Sequence, residues 1–142
     1  MTINAIKLLL LISSALLLCE SSFAYKIIAQ DKEAYVFHEG KIKSDPNRYD
    51  VVYEVDEANK TLIVIKEVDM RTGEEYSLGS AYQIVEQPTM ELFKNGTALR
   101  AIRFNPKRAN IETISFCDGK YHYSKTTEKY INLFYGNYKL EF

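Results

Sequence analysis

Residues 111–125 read IETISFCDGKYHYSK, two alternating runs joined by Asp118-Gly119. An Asp-Gly pair in that position predicts a tight two-residue hairpin turn. Both central residues of such a turn need a positive φ, which Asp tolerates and Gly adopts freely. Closing it sets Phe116 against Tyr121, Ile114 against Tyr123 and Glu112 against Lys125. Two aromatic pairs and one ion pair then share a face, the matching that stabilises an antiparallel ladder.

The segments around this hairpin read the same way. Strands are predicted at Ala98–Phe104 and Ile111–Cys117, joined by the loop Asn105–Asn110. Upstream, Pro88 and Asn95-Gly96 bracket one short helix near residues 88–95, covering an open end of the sheet with Leu92 and Phe93. Glu75 to Glu86 reads as a long strand, and Gly79 lets it bend. Gly73 closes the turn before it.

The segment Tyr49–Val68 folds back at Asp56–Lys60, with Asn59 in the left-handed conformation. That closure pairs Val55 with Thr61, Tyr53 with Ile63 and Val51 with Ile65, and sets Asp56 against Lys60 and Asp50 against Lys66. Leu62 and Val64 beside Ile63 and Ile65 give the second strand two apolar faces, as in a strand covered on both sides. Near the C-terminus, Gly136-Asn137 is read as a turn that sets Tyr135 against Tyr138, Leu133 against Leu140 and Ile131 against Phe142. A last strand pairing with the first near Ala34–His38 would remove both sheet edges. The expected fold is therefore all-β: an antiparallel meander of eight or nine strands, forming a small up-and-down barrel with one short helix, or alternatively a two-sheet sandwich.

Residues 1–24 carry Lys7, an apolar run from Leu8 to Leu18, and the small-x-small exit Ser22-Phe23-Ala24. That combination reads as a cleavable secretory signal, with a run about half the ~20 residues a membrane-spanning helix needs. The expected location is secreted or periplasmic, with 25–142 as a single domain. Cys19 lies where a lipoprotein would be lipidated, but Leu18 stands where a small residue belongs. Beyond the signal only Cys117 remains, so no internal disulfide can form. The thiol is either free or paired between chains.

The formal net charge of −1 gives no electrostatic case for nucleic acid or an anionic membrane as partner. No stable membrane insertion is expected. The chain holds 11 Tyr and no Trp, a composition suited to half-buried sheet surfaces. A small exported barrel resembles the lipocalins in architecture only, since without Trp the Gly-x-Trp start of that family is missing.

The sharpest chemical grouping comes from the central hairpin. Opposite Phe116 and Tyr121, the register aligns Cys117 with Lys120 and Ser115 with His122, and the neighbouring strand brings Arg100 beside Ser115. Such a basic patch could lower the thiol pKa or bind a carboxylate or phosphate. The bland alternative is ordinary solvent-facing residues, and the missing orienting acid favours it over catalysis. No catalytic residue is assigned.

His38 and His122 have no ligand-spaced companions, so neither a metal nor a cofactor is expected. Tyr35, Tyr53, Tyr82, Tyr121, Tyr123, Tyr130, Tyr135 and Tyr138 could line a barrel mouth, or simply be half-buried strand residues. Asn59-Lys60-Thr61 and Asn95-Gly96-Thr97 match the N-glycosylation pattern. Three functions fit: an exported non-enzymatic protein binding a small molecule or a protein partner, a thiol-dependent enzyme or redox protein using Cys117 and His122, and a structural or inhibitory interaction module.

Overall fold

The computed structural model describes residues 24–142. The expected secretory signal, all but its last residue Ala24, and Cys19 lie outside the described residues. Ten strands and one short helix follow in order: β1 (Tyr25–His38), β2 (Lys41–Ser44), β3 (Tyr49–Asp56), β4 (Thr61–Asp69), β5 (Glu75–Tyr76), β6 (Ser80–Glu86), α1 (Met90–Lys94), β7 (Leu99–Asn105), β8 (Asn110–Cys117), β9 (Lys120–Thr126) and β10 (Tyr130–Glu141). Eight of them close an antiparallel barrel in the order β1-β3-β4-β6-β7-β8-β9-β10, with β10 returning to β1. The short strands β2 and β5 pair outside this ring, with β1 and β4.

The central hairpin forms in the register that its Asp-Gly turn dictates. Asp118 and Gly119 take φ of 48° and 71°. Phe116 pairs with Tyr121, Ile114 with Tyr123 and Glu112 with Lys125.

Two other reversals differ from expectation. In the β3–β4 hairpin, Val55 pairs with Leu62 and Tyr53 with Val64, one residue away from the predicted register. Asn59 is held by the Asp56 carboxylate, and Lys60 is the residue with positive φ, 51°. Both faces of β4 are apolar, so alternation left the register open and the turn decided it. Asp50 accordingly faces Val68, and Lys66 bonds to Glu75 instead.

The predicted turn at Gly136-Asn137 does not form. Residues 130–141 are one continuous strand that pairs with β1 from His38–Tyr130 to Lys26–Glu141. Gly136 serves a close approach: a Cβ there would lie 1.8 Å from the Gln30 carbonyl oxygen. First-to-last pairing thus closes the barrel over the whole length of both strands.

One end of the barrel is plugged. Thr89 caps α1 through its side chain, accepting from the Leu92 N–H, and Pro88 lies just outside the cap. Phe93 is buried and stacks on Tyr138 with centroids 5.6 Å apart, while Leu92 points outward and is half exposed. Phe116 packs edge-on against both Tyr138 and Tyr53. Burying side chains such as Phe93, Phe116, Leu62 and Leu99 stabilises the fold by roughly 1.5–3 kcal/mol each.

Three bulges retune the strands. They fall between Asp31 and Glu33 on β1, between Val64 and Lys66 on β4, and between Ile84 and Glu86 on β6. Each inserts an extra residue and exchanges which side chains face inward. Tyr25, Ile27, Ala29 and Asp31 are buried before the β1 bulge, and Ala34 after it. The predicted long strand 75–86 is broken: β5 and β6 are separated by residues 77–79, where Gly79 takes φ of 59°.

Candidate functional site

An eight-stranded barrel has an interior just wide enough for side chains or one small ligand. Here the two cases divide the barrel along its axis. The end under α1 is filled by aromatic rings. The other half holds a cavity of about 320 Å³.

Its wall is built from inward positions of successive strands: Asp31 on β1, Tyr53 on β3, Glu67 on β4, Tyr82 on β6, Arg103 on β7, Glu112 on β8, Tyr121 and Tyr123 on β9, and Asn132 and Phe134 on β10. Alternation places them. They lie one or two inward steps beyond the core residues Val51, Val64, Ala101 and Ile114.

Glu112 organises one side. Its carboxylate accepts from Tyr82 Oη at 2.7 Å, Tyr123 Oη at 3.1 Å and Arg103 Nη2 at 2.8 and 2.9 Å, with Lys125 Nζ 3.9 Å away. Burial by itself would raise the Glu112 carboxyl. The bonds from Tyr82 and Arg103 and the nearby positive charges outweigh it and hold the group below its ordinary range. The Arg103 guanidinium lies over the Tyr82 ring, 4.7 Å from its centroid. Burial raises the Tyr82 and Tyr123 phenols, and the Glu112 charge raises both further. The side is rigid because its polar atoms hold one another.

The opposite side is different. Asp31 is 5% exposed, and its Oδ1 has no hydrogen-bond partner. Burial pushes its carboxyl up to about 7; the Tyr49 backbone N–H opposes this, and the charges of Glu67 and Asp50 add to it. Burial raises Glu67 as well, with Arg48 opposing and Asp69 adding. Arg48 itself is committed to Asp45 at 2.7 Å, with Asp69 at 3.8 Å. Between the two sides, Tyr53 and Tyr121 share a hydroxyl–hydroxyl hydrogen bond of 3.1 Å.

The patch expected around Cys117 lies on the outer wall. The register brings Arg100 beside Ser115, Ser115 beside His122 and Cys117 beside Lys120. Arg100, Ser115 and His122 border an outer-wall depression of about 330 Å³ that is also lined by Val85, Ile102 and Leu133. Each charged or reactive member already has an internal contact. Arg100 pairs with Glu86 at 2.5 Å, Lys120 donates to Asn137 at 3.1 Å, and the Cys117 thiol donates to the Gly96 carbonyl at 3.0 Å. His122 packs edge-on against Tyr135. Cys117 is a free thiol.

Of the eight tyrosines singled out by sequence, Tyr53, Tyr82, Tyr121 and Tyr123 line the cavity, and Tyr138 belongs to the plug. Tyr135 lies on the outer wall beside His122, its partner in the antiparallel pairing of β10 with β9. Sequence reasoning did not single out Asp31 or Glu67. The signal for Asp31 was present: Tyr25, Ile27, Ala29 and Asp31 share one parity, so an acid continues an inward row. Glu67 had none, because the β4 bulge reverses parity just before it.

Among the described residues, no group of three or more His, Cys, Asp and Glu is arranged to hold a metal ion, and no helix is long and apolar enough to cross a membrane. The chain matches no family model, no curated protein and no solved structure.

Proposed function

We propose that this is an exported, non-enzymatic binding protein that holds a small molecule in the open half of its barrel. One observation carries the reading: a barrel plugged at one end by α1 keeps a cavity of about 320 Å³ at the other, walled by tyrosines and by a buried carboxylate oxygen without a partner. That volume is at the small end of the range for ligand pockets, roughly 300–1,000 Å³. Tyrosine walls offer apolar faces with polar tips, suited to a ligand that is part ring and part hydrogen-bonding group. Buried polar atoms are normally satisfied, so an orphan in a cavity wall marks a place where a ligand can bond.

The test is a ligand-observed NMR screen of small aromatic compounds carrying neutral, cationic or anionic groups. Binders are expected for the wild-type chain, and Ser80→Trp, which fills the cavity mouth from β6, should abolish their binding. Binding that survives Ser80→Trp would place the ligand elsewhere, and a screen without binders would remove the reading.

A second reading, a protein partner on the outer wall, rests on a different observation. Phe104 and Ile111 form an exposed apolar pair across β7 and β8, and Ile131, Phe37 and Ile42 form an exposed row across β10, β1 and β2, with Thr126 of β9 between the two groups. Exposed apolar residues grouped on one face are a mark of interaction sites. Phe104→Lys should leave cavity binding intact and weaken association with a partner or a second copy, read by light scattering.

A further inference from the structure

We propose that the barrel's ligand is an organic cation bearing an aromatic ring, an arylalkyl ammonium, with its ammonium group received by Asp31 and its ring lying among Tyr53, Tyr121 and Phe134. The inference rests on the cavity reading and gives it a chemical class.

The argument is one of unmatched charge. The cavity's cationic side chains each have a carboxylate beside them: Arg103 makes two bonds to Glu112, Lys125 approaches the same carboxylate, and Arg48 bonds to Asp45 through Nη1, while its buried Nε makes no hydrogen bond but has the Asp69 carboxylate 3.8 Å away. An anionic ligand would have to compete with those carboxylates. Asp31 is the reverse case. It is 95% buried, its Oδ1 is unpartnered, and the charges that bear on it, Glu67 and Asp50, are both negative. A buried carboxylate without a counter-charge is costly, and a cationic ligand supplies one. Aromatic faces beside it add favourable cation–π attraction. The β1 bulge at Asp31 and the missing side chain at Gly136 hold the carboxylate at the barrel seam.

Proton linkage gives an independent readout. The groups facing Asp31 are Tyr49, Asp50 and Tyr53 from β3, Glu67 from β4 and Tyr121 from β9, while β10 presents only Gly136 at that level. An amine comparable to Lys stays protonated to about pH 10. Ammonium binding should therefore strengthen as pH rises through about 7, where Asp31 ionises.

The experiment titrates the mature chain with three probes of one shape: phenethylamine, 2-phenylethanol and phenylacetate. Calorimetry should show phenethylamine binding tightest and phenylacetate weakest, and Asp31→Asn should weaken phenethylamine by about tenfold or more, the scale of a charge-assisted hydrogen bond. The wild-type pH series carries the same test without a variant. Equal affinity for the three probes, an Asp31→Asn affinity unchanged for the amine, or a flat pH series overturns the cation assignment. If the probes then still fail to bind Ser80→Trp, the cavity reading stands. If none binds the wild-type cavity, both fall together.

Discussion

Asp31 and Gly136 face each other across the seam between β1 and β10, and the glycine lets the two backbones meet there. A methyl group at residue 136 would sit 1.8 Å from the Gln30 carbonyl oxygen and 3.1 Å from the Asp31 Cα. Backbone atoms cannot swing aside like a flexible side chain. Gly136→Ala is therefore expected to destabilise by about 2–4 kcal/mol, at or above the usual overpacking range of ~1–3. Urea unfolding measures it, and a midpoint equal to wild type would show that the seam is not closed this way.

Removing the Asp31 charge should stabilise the empty protein. Its folded-state pKa is raised to about 7 from an ordinary 3.8. A group raised on folding contributes its stability below the unfolded value and loses it as pH rises through the folded one. Asp31→Asn should match wild type near pH 4 and exceed it at pH 8 by a few kcal/mol, on the order of 1.4 per pKa unit. Denaturant curves at the two pH values decide the matter, and parallel pH dependence would count against a buried, unpaired carboxylate.

Glu112 should behave in the opposite sense. Despite burial, its partners hold its carboxyl below the ordinary range. Its contribution is present above the unfolded value and lost as pH falls through the folded one. Glu112→Gln should cost about 3–5 kcal/mol at pH 7, since it leaves the Arg103 charge without its partner. The deficit should shrink in acid. A neutral outcome at pH 7 would mean that the carboxylate is dispensable to the barrel wall.

Cys117 lies outside the cavity, its thiol bonded to the Gly96 carbonyl. Cys117→Ala should leave binding of cavity probes unchanged and cost stability by no more than about 1 kcal/mol, the size of one hydrogen bond. Loss of binding in this variant would revive the thiol-dependent reading.

The secretory reading has its own check. Expression of the full chain in a host with a secretory pathway should yield an exported product whose N-terminus, read by mass spectrometry, is Tyr25. Retention of residues 1–24 would refute cleavage at Ala24.

Local chemistry determined much of the fold in advance. Asp118-Gly119 can hardly form anything but a tight reversal, and its register fixed Phe116, Ile114 and Glu112 against Tyr121, Tyr123 and Lys125. The short helix near 88–95 was legible for the same reason, since Pro88 and Asn95-Gly96 bracket it, although Thr89 is the residue that caps it. Gly136-Asn137 looked just as local and was not. A glycine is compatible both with a turn and with a close backbone approach, and only the partner strand distinguishes them. Likewise β4 has two apolar faces, so alternation could not set its register, and the conformation of the turn, with positive φ at Lys60, did.

The chain itself determined the all-β class, the central hairpin with its outward row of Arg100, Ser115, Cys117, Lys120 and His122, and the pairing of the last strand with the first. Tertiary structure alone decided that the barrel has one plugged and one open end, and that Asp31 and Glu67 face the open one. The physical reason is that bulges exchange inside for outside within a strand. A one-residue insertion leaves no mark in composition, and becomes visible only when neighbouring strands count their residues against each other.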